Sequence, residues 1–312
     1  MKRITFLART VMFLAAGCLA VNAQEAAPKH PEKPLLWKVE GDNLKNPSYL
    51  FGTIHLSTPP VGNLHPAAEK AFESANVVLT EIPMDLKTQM AMVPMFLRQD
   101  GKTLDDAIGE KLAAELNAEL KAINPELDST PFQTFKTWAI AMILPMLKSQ
   151  LTGDKPLDSK LWDRATAAGK ETGALETAEG QLAIFEEFNE VDQTIILAET
   201  IKQIRDDRAA GKDATADLIK AYATGDAAKV QKEMDKSVEK IAAGAHKELG
   251  ERFMKLLLTD RDVTIAKAID DKLVAAPDKI QFFAVGAAHY VGKPGIRSHL
   301  EKRGYRITAI TE

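Results

Sequence analysis

Two segments of this sequence share one pattern, an apolar strand-like run that ends in Gly-x-x-His. The first is SYLFGTIH, residues 48–55, and the second is FFAVGAAH, residues 282–289. In open α/β sheets, ligands bind where the carboxyl ends of parallel strands meet. If the two strands are parallel, the repeated pattern predicts that His55 and His289 share one site at the edge of a sheet.

The runs around these segments predict β/α units at both ends of the chain. Near the N-terminus, strand-like runs occupy 35–41, 47–55 and 76–83, and a helix occupies 65–75. Near the C-terminus, a strand at 280–286, a helix at 294–303 and a strand at 305–310 follow one another. We expect these strands to lie in one mixed sheet covered by helices, which makes the chain an α/β protein.

The residues between the terminal units have mostly helical patterns. Residues 103–123 have apolar side chains at helical spacing. Residues 132–151 are apolar nearly all round, which predicts a buried helix kinked at Pro145. A short strand is expected at 171–177, and three or four further helices are expected from Val191 to about Val274.

The first 23 residues have the pattern of a secretory signal peptide. Basic residues precede an apolar run at 10–21, too short to span a bilayer comfortably, and the small-residue sequence VNA ends at Ala23. We therefore expect cleavage near Ala23 and export to the periplasm or the medium, with a flexible lead-in at 24–34. A lipid anchor at Cys18 is a weaker alternative, because Ala15 stands where a lipoprotein signal usually has Leu.

A chain cut after Ala23 contains no cysteine and is more acidic than the full chain. Cys18 is the only cysteine, so the mature protein has no disulfide, no thiol nucleophile and no Cys-ligated metal. Loss of three basic residues changes the formal net charge from −4 to −7. An acidic chain without basic clusters argues against a nucleic-acid partner. No later stretch has the length and apolar character of a transmembrane span.

Four candidate functional side chains follow predicted strand ends: His55, Glu81, Glu176 and His289. Imidazole and carboxylate groups together bind Zn, Mn, Fe or Co, and open coordination positions hold water. A bound metal makes that water a nucleophile near neutral pH. No G-x-S-x-G, Gly-rich phosphate loop or H-E-x-x-H motif offers another source of chemistry.

Each of these signals is weak when taken alone. Most isolated Gly-x-x-His sequences are surface or helix-cap histidines, and Glu81 by itself could be a surface carboxylate. Methionines after Glu81 are compatible with a soft peptide-binding surface, although at helical spacing they more often fill gaps in a core. The two matching strand ends are what favours a shared site.

Several segments resemble the TraB/GumN/PrgY family, which includes the Tiki proteins. They are LWKVEGDNLKNPSYLFGTIHLS, NVVLTEIP, LDSKLWDRATAAGKETGALETAEGQLAIF, LLLTDRDVTIAKAI and FFAVGAAHYVGKPGIRSHLEKRGYRI. The family is related to erythromycin-esterase-like and ChaN-like proteins. The resemblance implies one α/β domain at 35–312, with a sheet built from two β-β-α-type units and a large helical insertion at about 84–275.

The resemblance also implies a metal-dependent peptidase that uses Mn, Co or Zn. By position, His55, His289 and Glu81 match the metal-binding motif residues, with Glu81 either a third ligand or a general base. Glu176 and Gln181 match an LET…Q segment, Glu176 as a further ligand or as a partner that orients a histidine. Two departures are that Asp262 follows Arg261 where relatives often have Asn, and that EIP replaces the usual E-x-D at Glu81.

The resulting hypothesis is an exported metal-dependent hydrolase acting on a peptide or on a small amide or ester. Arg261 and Gln181 are expected to stabilise an oxyanion, and Gly52 and Gly286 are expected to allow a backbone turn or a close approach of ligand. One alternative is a metal-independent hydrolase in which a histidine acts as general base. Another is a non-catalytic protein that binds a peptide or haem.

Overall fold

The computed structural model describes residues 29–56, 58–151, 153, 155–241, 246–292 and 294–312. They form two compact units, a larger one at 29–95, Pro156–Asn189 and Asp213–Glu312 and a smaller one at Phe96–Lys155 and Glu190–Lys212. The predicted signal peptide and Cys18 lie outside the described residues. The assignment of 35–312 to a single domain stays a prediction.

A six-stranded mixed sheet organises the larger unit. Its strands are β1 Leu36–Glu40, β2 Ser48–Thr53, β3 Val77–Thr80, β4 Glu171–Ala174, β5 Gln281–Gly286 and β6 Arg306–Ile310. The spatial order is β4-β3-β5-β2-β1-β6. Strands β4, β3, β5 and β2 are mutually parallel, whereas β1 is antiparallel to both of its neighbours. The predicted mixed α/β sheet is therefore confirmed.

The described helices all lie between β2 and β6 in the chain. In chain order they are α1 Pro66–Ser74, α2 Leu86–Met92, α3 Leu104–Ile123, α4 Thr137–Ile143, α5 Leu147–Gln150, α6 Leu157–Ala167, α7 Ala178–Glu186, α8 Glu190–Ala209, α9 Ala214–Ala223, α10 Ala227–Ile241, α11 Lys247–Met254, α12 Asp260–Ala275, α13 Ala287–Val291 and α14 Ile296–Glu301. Five of them, α8 to α12, occupy the stretch for which three or four were predicted. None of the described helices combines the length and apolar character that a membrane crossing needs.

The central strands are apolar because the sheet is buried on both faces. One row of side chains crosses four strands in register, Trp37 beside Leu50, Leu50 beside Phe283 and Phe283 beside Leu79. All four are buried. On the opposite face, side chains of α1 and α6 pack against the sheet in one core, which holds these two helices in place beside the strand ends.

Helix α1 begins as its sequence predicts. His65 caps the helix, its Nδ1 accepting a hydrogen bond from the backbone N–H of Ala67 at 3.2 Å, and Pro66 is the first helical residue. Ala68, Ala71 and Phe72 form its buried face. The side chain of His65 therefore serves as the N-cap of α1.

The smaller unit is helical and has its own apolar core, formed by α3, α4, α5 and α8. Two of its predicted helices are interrupted. Pro145 lies in a 3-10 turn, Leu144–Met146, that separates α4 from α5. Gly109 breaks α3 by adopting a φ of 78°, a conformation that costs glycine little.

Candidate active site

The ends of four neighbouring parallel strands carry the four predicted site residues. His55 lies two residues after β2, Glu81 directly after β3 and Glu176 two residues after β4. His289 lies on α13, which begins directly after β5, in a stretch between the predicted strand at 280–286 and the predicted helix at 294–303 where no helix was predicted. The parallel pairing of β2 and β3 with β5 sets these strand ends side by side.

His55 is held through its Nδ1 by a buried carboxylate. Nδ1 lies 2.9 Å from Oδ2 of Asp158, the second residue of α6. The other oxygen of Asp158 accepts a hydrogen bond from Oγ1 of Thr53 at 2.6 Å. The His55 side chain is 48% exposed, and its Nε2 lies 4.0 Å from Oε1 of Glu81. The charge of Asp158 outweighs burial and raises the pKa of His55 to about 9.

His289 is held at both ring nitrogens by consecutive residues of α12. Its Nδ1 lies 2.7 Å from Oδ1 of Asp262, and its Nε2 accepts a hydrogen bond from Nη1 of Arg261 at 3.2 Å. All three side chains are buried. A π-helical turn, Lys255–Thr259, directly precedes α12, and such turns are frequent at functional sites.

Glu81 is a buried carboxylate with a partner for each oxygen. Oε1 accepts a hydrogen bond from the backbone N–H of Gly286 at 2.7 Å. Oε2 accepts from Nε2 of Gln181 at 2.9 Å and from Nη2 of Arg261 at 2.5 Å. Burial raises the pKa of Glu81, but electrostatic interactions with His289, His55 and Arg261 and the hydrogen bond from Gly286 outweigh burial and lower it to about 2. Glu81 is therefore ionised at neutral pH.

Arg261 connects the other members of the site. Its Nε and Nη2 donate to Glu176, Nη2 also donates to Glu81, and Nη1 donates to His289 and to the carbonyl of Leu257. Each of its N–H groups can thus be given an acceptor. Glu176, predicted as a metal ligand or an orienting group, uses both oxygens to hold Arg261. Gln181, predicted to stabilise an oxyanion, holds Glu81.

The two motif glycines lie close to different neighbours. A Cβ added to Gly286 would lie 3.0 Å from Oε1 of Glu81 and 3.6 Å from Nε2 of His55, so this glycine keeps the space between the two side chains open. A Cβ added to Gly52 would meet Ala287 at 3.2 Å and Leu35 at 3.3 Å, so Gly52 permits close packing. The carbonyl of Gly52 accepts a hydrogen bond from Tyr222 Oη at 2.6 Å.

The donor atoms have the chemistry of a divalent-metal site. Ligating histidines characteristically donate their second ring N–H to a carboxylate, and here Nδ1 of His55 and Nδ1 of His289 lie at hydrogen-bond distance from Asp158 and Asp262. Nε2 of His55 and Oε1 of Glu81 face the space that Gly286 keeps open. Nε2 of His289 would join them after losing its hydrogen bond to Arg261. Within the described ranges, no three His, Cys, Asp or Glu side chains already lie close enough to hold an ion.

Sequence patterns did not identify Asp158 or the role of Asp262. Asp158 lies 103 residues from His55, and although it falls inside a segment that resembles the family, it was not among the predicted site residues. Asp262 was noted as a departure from the usual Asn. An amide oxygen could accept the same hydrogen bond from His289, so the departure preserves the contact.

Comparisons with known proteins agree with the resemblance drawn from the motifs. Metalloprotease TIKI1 of Xenopus tropicalis is 26% identical over 348 residues, 97% of this chain and 67% of the relative. Human Metalloprotease TIKI1 is 26% identical over 350 residues, 97% of this chain and 68% of the relative. Metalloprotease TIKI2 of Xenopus tropicalis is 27% identical over 329 residues, 92% of this chain and 62% of the relative. No solved structure matches.

The candidate site and all of the sheet except Ile310 fall inside one family match. The sequence model of the TraB/PrgY/gumN family matches residues 35–309, from the residue before β1 to the penultimate residue of β6. This chain belongs to the TraB/PrgY/gumN family.

Proposed function

We propose that this chain is an exported, metal-dependent hydrolase that cleaves a peptide bond or a related amide. The observation that supports this most directly is the convergence of two carboxylate-bound histidines on the ionised Glu81. The printed names of the relatives, metalloproteases, favour the same reaction class. Export is proposed from the signal-like sequence that ends at Ala23.

His55 and His289 would hold the ion through Nε2, and Glu81 would hold it through Oε1. Mn, Co and Zn all suit this donor set. When bound, such an ion supplies Lewis-acid activation of water and of a carbonyl oxygen. Each histidine has a carboxylate beside Nδ1, Asp158 for His55 and Asp262 for His289, so Nε2 is the ring nitrogen that would hold the ion.

Glu81 is proposed either as the third ligand or as the base that accepts a proton from water. Gln181 and Arg261 both bind its Oε2, which orients Oε1 toward His55. Arg261 would stabilise an oxyanion only by releasing one of its present acceptors, because its donors are all engaged. Glu176 is proposed to anchor Arg261 through two oxygens, and direct ligation by Glu176 stays a prediction.

The test is elemental analysis of the mature chain, Gln24 to Glu312, purified without a His-tag and incubated with Mn, Co or Zn. We expect about one tightly held ion in the parent and none in the His55→Ala/His289→Ala double variant. His246→Ala is a control outside the site. Mass spectrometry of a peptide mixture then tests cleavage, and full metal content and activity in the double variant would contradict the proposal.

A second candidate is a metal-independent hydrolase in which His55, deprotonated above its raised pKa of about 9, acts as general base. The observation that favours it is the Asp158–His55 pair, since a base oriented by a carboxylate is a common catalytic arrangement. Hydrolysis that is unchanged after thorough chelation would favour this candidate. Stoichiometric capture of peptide without products would favour a binding protein.

A further inference from the structure

We propose that Asp158 is a positioning residue that fixes both the orientation and the tautomer of His55. The proposal rests on the proposed function, because that function requires the lone pair of His55 to be on Nε2. Asp158 is 2% exposed, and each of its oxygens has one partner, Thr53 Oγ1 at 2.6 Å and His55 Nδ1 at 2.9 Å.

The tautomer follows from the hydrogen-bonding capacity of the two groups. An ionised carboxylate only accepts hydrogen bonds, so Nδ1 of His55 must keep its proton in order to bind Asp158. A neutral imidazole carries one proton, so Nε2 is left with a lone pair that faces Glu81. Without Asp158 the His55 ring would have no such constraint, and both tautomers would be populated.

Burial cannot orient His55, because its side chain is 48% exposed. Asp158, in contrast, is attached to a rigid part of the fold. Its neighbour Leu157 and, one turn later, Leu161 are buried in the core beneath the sheet. Helix α6 therefore fixes the position of the Asp158 carboxylate, and that carboxylate orients the exposed ring of His55.

The segment that carries His55 is fixed to the same carboxylate. Thr53, the last residue of β2, donates its hydroxyl to Oδ1 of Asp158 and pairs in register with Gly286. Just before it, the carbonyl of Gly52 accepts the hydroxyl of Tyr222 at 2.6 Å. Asp158 thus binds both Thr53, at the end of the strand, and His55, which lies two residues later in the sequence.

The experiment compares Asp158→Ala and Asp158→Asn with the parent, using Asp163→Asn, an exposed carboxylate of the same helix, as the matched control. The first measurement is the ¹⁵N spectrum of the His55 ring in metal-free protein, above the His55 pKa of about 9, assigned by its loss in His55→Gln. The second is the dissociation constant of Zn²⁺ by calorimetry.

We expect the parent and Asp163→Asn to hold the proton of His55 on Nδ1. Asp158→Ala should show a mixture of tautomers and bind Zn²⁺ about 10- to 100-fold more weakly. Asp158→Asn should recover much of both properties, because its amide oxygen still accepts from Nδ1. A purely structural role would not change the tautomer in a folded variant.

An unchanged tautomer together with parental Zn²⁺ affinity in folded Asp158→Ala would overturn the proposal. If Asp158→Ala does not fold, Thr53→Val serves instead, since it removes only the donor to Oδ1 and should weaken Zn²⁺ binding in the same direction. If the parent binds no metal, the proposed function fails, but the tautomer measurement still decides the role of Asp158.

Discussion

Nη1 of Arg261 donates a hydrogen bond to Nε2 of His289 at 3.2 Å, the same atom through which His289 would bind a metal. Nδ1 of His289 faces the carboxylate of Asp262, so the neutral ring has only the lone pair on Nε2 to share. A metal ion at the proposed site would therefore compete with Arg261 for His289. Arg261 also forms ion pairs with both Glu81 and Glu176.

Replacing Arg261 with Met should destabilise the metal-free protein and increase the stabilisation that a metal provides. Loss of the guanidinium leaves two buried carboxylates without their cation, which costs about 3–5 kcal/mol. Urea unfolding in chelator and in Mn²⁺ or Zn²⁺ measures both effects. Arg205→Met is the control, because Arg205 forms an exposed ion pair and should cost at most about 1 kcal/mol. A smaller metal-induced gain in Arg261→Met than in the parent would disprove competition.

Gly286→Ala should impair the site while leaving the fold intact. The φ of Gly286 is −48°, which alanine adopts readily, but the new Cβ would lie 3.0 Å from Oε1 of Glu81. We expect weaker metal binding and a loss of about 100-fold in kcat/KM, as for a displacement of about 1 Å at a catalytic centre. Gly52→Ala should instead cost about 1–3 kcal/mol of stability, because its Cβ meets the backbone of Ala287. Equal effects of the two substitutions on metal binding would refute this distinction.

Asp262→Asn should be tolerated, whereas Asp262→Leu should not. An asparagine oxygen can accept a hydrogen bond from Nδ1 of His289, which lies 2.7 Å from Oδ1 of Asp262. Leucine offers no acceptor, so metal affinity should fall about 10- to 100-fold. Calorimetric titration of both variants with Zn²⁺ is the measurement. Similar losses of Zn²⁺ affinity in both variants would mean that the negative charge of Asp262 matters, rather than its ability to accept a hydrogen bond.

The stability that His55 contributes to the metal-free protein should depend on pH. Its pKa is raised from 6.5 to about 9 in the folded state, so the contribution is fully present below pH 6.5 and is lost as pH rises through about 9. Unfolding of the parent and of His55→Gln in chelator should therefore differ most at the acid end of this window. His246→Gln is the control, and a pH-independent difference between parent and His55→Gln would contradict the expectation.

The contribution of the Glu81 carboxylate to stability should depend on pH in the opposite sense, because it is lost as the pH falls. Its pKa is lowered from 4.5 to about 2, so its contribution is present above pH 4.5 and is lost as pH falls through about 2. The parent should lose stability relative to Glu81→Gln as the pH falls below 4.5. A difference that stays constant down to pH 2 would mean that Glu81 is not held in its ionised form.

Local patterns in the sequence were enough to predict the strands and to group four residues at their ends. Alternating and continuous apolar runs mark β2, β3 and β5, and parallel strands necessarily bring their carboxyl ends to one edge. That is why His55, Glu81, Glu176 and His289 could be expected together. The helix after β5 was missed, because AAHYV is too short to display helical periodicity.

The sequence by itself determined the α/β class, the order of the strands along the chain and the identity of the residues at the strand ends, because these depend on neighbours within a few positions. Only the tertiary structure decided how those residues pair. Asp158 meets His55 across 103 residues, and Arg261 meets Glu81 across 180. Such contacts depend on distances between side chains of separate segments, which no local pattern contains. Hydrogen bonding and charge at those distances set the tautomers and pKa values of the site.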